Sequence, residues 1–295
     1  MRAVYRFEPC KSAMNAVRGM PFKWSLNPYM GCVHRCTFCY VRHFEQRADR
    51  PSDDRYGRSI RVKTNVAEVL RRELGRRSWQ RETVSIGAAT DPYQPAEGRF
   101  KLTRACLAEL TNAWTPFSII TRGPLIVRDI DVLQEASAHA EVGVYFSIPT
   151  LDERVWRTTE PGTAPPRSRL EAVRRLSEAG IDVGVGMAPI LPGLSDRPEQ
   201  LEAVVREARA AGARSIWANV LYLRPGTREH FLEALAQDWP DEVDRYEALY
   251  ASRAYLPSEV TKSITAPVRR ATAVTRSPAR RRAVSRVPQQ LALAI

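Results

Sequence analysis

Short apolar runs with β character alternate with amphipathic stretches along most of the chain. The apolar runs lie at residues 22–30, 83–89, 117–121, 141–148, 182–190 and 215–223. The stretches between them predict helices at 64–74, 102–113, 128–140, 169–180 and 197–212. Gly180 and Gly212 follow two of these helices, where a left-handed C-cap is expected. This alternation predicts repeated βα units around a parallel sheet.

Six β segments are too few for a closed barrel of eight units. We therefore expect an α/β fold, a partial (β/α)6 TIM-like barrel, with its active site at the C-terminal ends of the strands. A doubly wound sheet would give the same alternation, so periodicity alone leaves that packing open. Residues 227–257 predict two further helices that flank the barrel.

The chain divides into four regions by pattern and composition. We expect an N-terminal segment at 1–20, the barrel at 21–230, a helical extension at 231–260 and a basic tail at 261–295. The tail accounts for most of the net charge of +12, and its mixture of Pro, Ser, Ala and Arg has no regular period. We therefore expect a disordered tail, which could contact nucleic acid or simply be solvated.

Two observations bear on location. No apolar run reaches the roughly 20 residues of a membrane span, and the N-terminus lacks the apolar core of a secretory signal. Three of the five cysteines are clustered, which suits metal binding in a reducing compartment better than a disulfide framework. A cytoplasmic protein without a membrane partner is expected.

The clustered cysteines are Cys32, Cys36 and Cys39, in the spacing C-x3-C-x2-C directly after the first β segment. Three thiolates can hold three irons of a cubane cluster and leave the fourth iron open to a ligand. A structural zinc site normally has four protein ligands. His43 follows Cys39 at an interval that could complete such a site, so zinc remains the alternative.

This cysteine loop, with Phe38 as its aromatic residue, resembles the signature of the radical S-adenosylmethionine (SAM) superfamily. The resemblance implies a [4Fe–4S] cluster on the three cysteines, with SAM chelating the open iron and Phe38 helping to hold adenine. It also implies an external one-electron reductant, flavodoxin-like or ferredoxin-like. Reductive cleavage of SAM in that superfamily gives a 5′-deoxyadenosyl radical, which takes a hydrogen atom from the substrate.

The segments TDPYQPAE, ITRG, FSIPT and VGMAPILPG look like the strand-end motifs of the spore photoproduct lyase-like branch. The likeness covers about residues 20–230. It assigns Arg122 to the methionine carboxylate, Ser147 to a polar contact with SAM, and Tyr40 to a position near the radical path. Asp91 and Glu97 offer carboxylates for the amino group of SAM or for the substrate, although Asp91 could equally cap a turn.

Further polar and thiol groups lie outside the cysteine loop. Glu160 could pair with Arg167 or Arg169, either in the substrate pocket or as a surface ion pair of little energetic value. Cys106 lies on an apolar helical stripe and is interpreted as a core thiol. Cys10 has no assigned role.

One departure from the lyase branch matters for the substrate. Spore photoproduct lyase has a cysteine at the end of its second strand that returns a hydrogen atom to thymine, whereas residues 83–94 contain none. Thymine-dimer repair is therefore unsupported. The sequence predicts a radical SAM enzyme of unknown, lyase-like or transferase-like chemistry. The alternatives are a zinc-stabilised nucleic-acid-binding protein and a radical enzyme that acts on DNA or RNA.

Overall fold

The computed structural model describes residues 3–20 and 22–274 of the chain. The strands are β1 (Val4–Glu8), β2 (Met14–Ala16), β3 (Trp24–Leu26), β4 (Tyr29–Met30), β5 (Ser59–Lys63), β6 (Val84–Ile86), β7 (Phe117–Thr121), β8 (Val142–Ser147), β9 (Asp182–Ile190) and β10 (Ser215–Val220). The first six helices are α1 (Val41–Arg47), α2 (Val66–Leu74), α3 (Pro95–Phe100), α4 (Leu102–Asn112), α5 (Ile130–His139) and α6 (Glu153–Thr159). The others are α7 (Pro166–Glu178), α8 (Pro198–Ala210), α9 (Thr227–Asp238), α10 (Val243–Leu249) and α11 (Ser258–Val274).

The main sheet has seven strands in the order β10-β9-β8-β7-β6-β3-β2. Strand β2 runs antiparallel to β3, and the other six strands pair in parallel. The six parallel strands follow one another in chain order across the sheet. In a doubly wound sheet the strand order would reverse at a switch point, so that later strands lie on the other side of the first strand. The continuous order seen here therefore confirms the partial (β/α)6 barrel.

The two faces of this sheet are covered by different side chains. On the convex face Phe117, Val144 and Val185 are buried in the core that the helices cover. The alternate positions point to the concave face, since side chains alternate along a strand. There the Tyr145 ring lies over Gly143 and Gly184, and the Trp217 ring lies over Gly186. Two aromatic rings therefore cover the glycines inside the partial barrel.

The first predicted β segment, residues 22–30, is two strands. Pro28 separates β3 from β4, and it cannot donate a hydrogen bond to a continuous ladder. Strand β3 belongs to the main sheet, whereas β4 pairs with β5 in a small sheet of order β1-β5-β4. The small sheet packs against Val33, in the loop that carries the clustered cysteines.

The C-terminal region corrects one prediction. Helices α9 and α10 form as expected, but residues 261–274 continue α11 and are not disordered. Val268 is buried, and α11 packs against α8 and β10, so apolar burial stabilises a segment whose basic composition suggested disorder. Residues 275–295, the rest of the predicted tail, lie outside the described residues. Within the described part of the chain, no helix has the length and apolar character needed to cross a membrane.

Candidate active site

Cys32, Cys36 and Cys39 lie between β4 and α1, beyond the C-terminal end of β3. All three are free thiols; Cys32 and Cys36 are buried and Cys39 is partly exposed. They line a single pocket at the C-terminal edge of the parallel strands, together with Tyr40, Asp91, Arg122 and further residues. The structure thus brings the predicted cluster ligands and three of the other predicted site residues around one cavity.

Side chains that follow β6 hold the start of the cysteine loop. The Thr90 hydroxyl donates to the Gly31 carbonyl at 2.7 Å, and the Gln94 amide donates to the same carbonyl at 3.0 Å. The Gln94 amide oxygen accepts a hydrogen bond from the Val33 N–H at 3.2 Å. Both side chains are buried, so these bonds fix the loop backbone to the barrel.

Two glycines clamp the same loop from outside the main sheet. A Cβ atom at Gly57 would stand 2.2 Å from the Cys32 carbonyl oxygen, and one at Gly162 would stand 2.3 Å from the Val33 carbonyl oxygen. The Gly162 N–H donates to the His34 carbonyl at 3.0 Å. Only glycine allows backbone to approach this closely, so the cysteine loop is held between two segments distant from it in sequence.

Two of the thiols lie in an environment that resists ionisation in the metal-free chain. Burial raises the pKa of Cys36 well above its ordinary value and also raises the pKa of Cys39. Metal binding must therefore displace protons. Within the described residues, no three His, Cys, Asp or Glu side chains are grouped closely enough for one metal ion. The His43 ring instead contacts the Pro225 carbonyl at 3.0 Å, so the alternative zinc site is not preformed.

Asp91 is the centre of a buried hydrogen-bond network. Its carboxylate accepts from the Thr121 hydroxyl at 2.7 Å, from the Arg122 N–H at 2.6 Å and from the Tyr93 N–H at 2.9 Å. His34 Nδ1 lies 3.3 Å from Oδ2 of the same carboxylate. Burial opposes ionisation of Asp91, but His34 and these hydrogen bonds outweigh it and lower the pKa to about 2. Asp91 therefore caps its turn and also orients Arg122.

His34 and Asp91 form an ionised pair beside Cys32. Burial disfavours the imidazolium, but the charges of Cys32 and Asp91 outweigh burial and raise the pKa of His34 to about 10. Sequence reasoning missed His34 although it stands between two of the cysteines. Its partner Asp91, in the loop between β6 and α3, becomes known only from the fold.

Arg122, in the pocket wall, is hydrogen-bonded to two other segments of the chain. Its Nε donates to Glu160 Oε1 at 2.5 Å and its Nη2 donates to the Ala188 carbonyl at 3.0 Å. Glu160 Oε2 lies 3.0 Å from Nη2 of the fully buried Arg169. Burial opposes ionisation of Glu160, but Arg169 and Arg122 lower its pKa below the ordinary value. The surface ion pair considered from sequence is wrong, because Glu160 joins two arginines in the interior while Arg167 is exposed.

The remaining predicted residues differ in position. Phe38 is buried with the Arg122 guanidinium 5.6 Å from its ring centre. The Tyr40 hydroxyl donates to the Ala88 carbonyl, and its ring lies 6.3 Å from Tyr222. Ser147 is buried, and its carbonyl accepts from Arg169 Nη1 at 2.8 Å. Phe38 and Ser147 are adjacent to residues of the pocket wall but are not among the described residues that line it.

Glu97 is not available to a ligand. Its fully buried carboxylate accepts from the Tyr29 hydroxyl at 2.6 Å, the Thr103 N–H at 2.8 Å and the Arg128 guanidinium at 2.7 Å. These partners fix the corner between α3 and α4, so the interpretation of Glu97 as a SAM contact is wrong. Cys106 is fully buried in the core, as predicted.

The residues around the pocket fit an anionic group held by thiolates. The guanidinium of Arg42 and the hydroxyl of Tyr56 are buried beside the cysteines, and each has polar atoms without a hydrogen-bond partner. Unpaired buried donors are costly. A thiolate-ligated cluster between the cysteines would supply negative charge and sulfur acceptors at this position.

The sequence profile described as the Radical SAM superfamily matches residues 26–208. The chain belongs to this superfamily and is a radical SAM enzyme. An uncharacterized protein of Mycobacterium tuberculosis is 41% identical over 251 residues, which cover 84% of this chain and 74% of that protein. An uncharacterized protein of Methanocaldococcus jannaschii is 25% identical, with 86% of this chain and 90% of that protein covered.

Solved structures of spore photoproduct lyase share the fold. A double mutant of that lyase with bound AdoMet and dinucleoside spore photoproduct superposes with a TM-score of 0.66, covering 92% of this chain and 79% of that one at 16% identity. The lyase complexed with dinucleoside spore photoproduct superposes with a TM-score of 0.68 at 14% identity. At this identity the likeness concerns the fold alone.

Proposed function

We propose that Cys32, Cys36 and Cys39 hold a [4Fe–4S] cluster whose fourth iron binds SAM. The observation that carries the proposal is the shared pocket of the three thiols, Asp91 and Arg122 at the C-terminal edge of the strands. When bound, the cluster and SAM would supply a 5′-deoxyadenosyl radical that takes a hydrogen atom from a substrate. The electron would come from an external flavodoxin-like or ferredoxin-like donor.

The residues of the pocket wall have distinct parts in this proposal. Arg122 binds the methionine carboxylate through Nη1, which neither Glu160 nor Ala188 uses. Glu160 keeps the guanidinium in place and Asp91 fixes its backbone. Direct contacts of Asp91 with the amino group of SAM and of Ser147 with SAM stay predictions. The Phe38 ring lies against the guanidinium of Arg122. Its part in holding adenine stays a prediction.

Tyr40 is assigned to the path between the radical and the substrate. Its side chain is 38% exposed, so it can meet a ligand, and its hydroxyl is anchored to the Ala88 carbonyl beside the pocket. This hydrogen bond fixes the orientation of the Tyr40 side chain. A fixed aromatic wall would exclude water and stray hydrogen donors from the reacting atoms.

The concave face of the sheet presents an exposed aromatic side chain to a substrate. Trp217 is 43% exposed and stands in register with Gly186 and Ser147. Its ring lies over Gly186, where a Cβ atom would come within 2.6 Å. We assign this face to substrate binding.

Gly87, Ala88, Thr90 and Asp91 form the pocket wall after β6, so no cysteine at this strand end can return a hydrogen atom as in the lyase.

The test uses anaerobically purified full-length protein. We expect about four irons and four sulfides per chain, broad absorption near ~400 nm, and 5′-deoxyadenosine by mass spectrometry when SAM and a strong reductant are added. Replacing the three clustered cysteines by alanine should remove iron and product together. Cys106→Ala is the matched control, because that thiol is buried away from the pocket. One zinc and no iron in the wild-type chain would disprove the proposal.

Two further points remain predictions. A cytoplasmic location suits a thiolate cluster, because that compartment is reducing. A nucleic-acid partner was expected through the basic tail, of which 275–295 lies outside the described residues. A truncation that tests it should begin after Val274, because an earlier one removes the packed helix α11. Weaker binding and a flatter salt dependence would then favour a nucleic-acid substrate.

A further inference from the structure

Two buried side chains near Cys39 have polar atoms without partners. Arg42 is fully buried; its Nη1 donates to the Ser52 carbonyl at 2.7 Å and to the Asp53 carbonyl at 2.6 Å. Its Nε and Nη2 have no hydrogen-bond partner. Tyr56 is 3% exposed, and its hydroxyl has no nitrogen or oxygen partner.

Both groups face the cluster-binding loop. Tyr56 packs against Cys32, Val41 and Cys39, and it lines the same pocket as the three thiols. The Arg42 guanidinium carbon lies 4.8 Å from the centre of the Tyr56 ring. Burial lowers the pKa of Arg42. The arginine, the tyrosine and the thiols thus form a continuous buried group.

This arrangement lacks a negative charge. No described carboxylate forms an ion pair with Arg42, although the nearby Arg50 pairs with Glu45. A buried guanidinium without a counter-charge is strongly unfavourable. A cubane cluster on three thiolates carries net negative charge, and one-electron reduction adds another. Cys39 and the cluster sulfurs are therefore the acceptors that complete the group.

We infer that Tyr56 donates a hydrogen bond to a sulfur of the Cys39 side of the cluster, and that Arg42 supplies the buried positive charge behind it. The inference rests on the proposed function. Hydrogen bonds and positive charge near the sulfurs stabilise the more negative, reduced cluster, and so raise its reduction potential. Tyr56 would contact the cluster, whereas Arg42 acts through Tyr56 and Cys39 as a positioning residue.

A purely structural role predicts a different result. Arg42 Nη1 binds two carbonyls of the loop that precedes Tyr56, so both residues could merely hold that loop. Loss of such support would lower stability or iron content. It would leave the potential of any cluster that assembles unchanged. The reduction potential therefore separates the two roles.

The experiment measures the midpoint potential of the cluster in full-length protein without SAM, by a redox titration followed by electron paramagnetic resonance. Tyr56→Phe retains the ring under Arg42 and removes only the hydroxyl. We expect full iron content and a midpoint shifted to a more negative value. Arg42→Gln should shift the midpoint further in that direction, because it removes a whole charge. Arg42→Lys should recover most of that shift.

Two control variants account for unspecific effects. Tyr250→Phe removes another buried hydroxyl, which donates to the Leu221 carbonyl at 2.7 Å outside the pocket. Arg50→Gln removes a positive charge close in sequence to Arg42 but paired with Glu45. Both should keep the wild-type midpoint.

The outcomes distinguish this inference from the proposed function. A wild-type chain that assembles no iron–sulfur cluster contradicts both. A cluster with the same midpoint in wild type and Tyr56→Phe contradicts the inference alone. If Arg42→Gln does not fold, Tyr56→Phe decides the question, since it leaves packing intact.

Discussion

Glu160 Oε2 lies 3.0 Å from Nη2 of Arg169, and neither side chain is exposed to solvent. Glu160 begins the loop between α6 and α7, whereas Arg169 is inside α7. The same carboxylate binds Arg122, which directly follows β7. One buried negative charge thus links the predicted SAM-binding arginine to the loop that clamps the cysteines.

Glu160→Gln should destabilise the protein, because it leaves two buried guanidinium groups with a neutral partner. Breaking a buried ion pair costs about 3–5 kcal/mol, and we expect a loss of that order in the free energy of unfolding, measured by denaturant titration. Glu171→Gln is the control, since Glu171 pairs with Arg174 at the surface. That change should have no measurable effect. Equal stability of the two variants would contradict the linking role of Glu160.

Gly162→Ala should disturb the cysteine loop. The new methyl group would collide with the Val33 carbonyl and the His34 backbone, neither of which can move freely. We expect about 1–3 kcal/mol of destabilisation and severalfold less iron per chain after reconstitution. Gly98→Ala is the matched control, because its Cβ would have its nearest neighbour at 3.7 Å. Normal iron content in Gly162→Ala would show that the clamp is dispensable.

Arg122→Gln should weaken SAM binding without removing the cluster. The change deletes a charge-assisted contact worth about 1.5–3 kcal/mol, which corresponds to roughly 10-fold to 100-fold in Kd. Equilibrium dialysis with labelled SAM under anaerobic conditions measures this loss, and iron analysis verifies the cluster. Arg128→Gln is the control, because Arg128 binds Glu97 and Asp129 away from the pocket. Unchanged SAM affinity in Arg122→Gln would exclude the proposed carboxylate contact.

His230 should make the stability of the chain depend on pH. Burial, with Arg42 and Arg35 nearby, lowers the pKa of His230 to about 4. Its ordinary value is about 6.5, so the unfolded chain binds the proton first as pH falls. Stability from this group is complete above pH ~6.5 and declines toward pH ~4, with a slope of at most about 1.4 kcal/mol per pH unit.

The measurement compares unfolding free energies at several pH values between ~7.5 and ~5 in wild type and His230→Gln. The variant should lose part of the decline seen in wild type. His139→Gln, on a different part of the fold beside Trp114, is the control and should retain it. Identical pH profiles for wild type and His230→Gln would contradict the prediction.

Much of the fold follows from local pattern. The six β segments and the intervening helices were predictable because apolar positions repeat with the period of the element that they form. The split at Pro28 and the helix at 261–274 were not predicted. The first depends on pairing with β5, and the second depends on burial of Val268 against distant elements.

The candidate site was predictable in a different way. Cys32, Cys36 and Cys39 are close in sequence, so their spacing alone indicates a shared group. Glu97 was misassigned, because its partners Tyr29, Thr103 and Arg128 come from separate segments. Arg42 and Tyr56 carried no sequence signal, since an arginine and a tyrosine in a polar stretch are ordinarily exposed.

The sequence by itself determined the alternation of strands and helices and the three thiols of one loop. Both are local properties, set by side-chain period and by spacing along the chain. Only the tertiary structure decided the barrel order of the strands, the buried pairing of Glu160 with Arg122 and Arg169, and the neighbours of Cys39. These depend on contacts between residues far apart in sequence, whose energies arise from burial and charge that exist only in the folded chain.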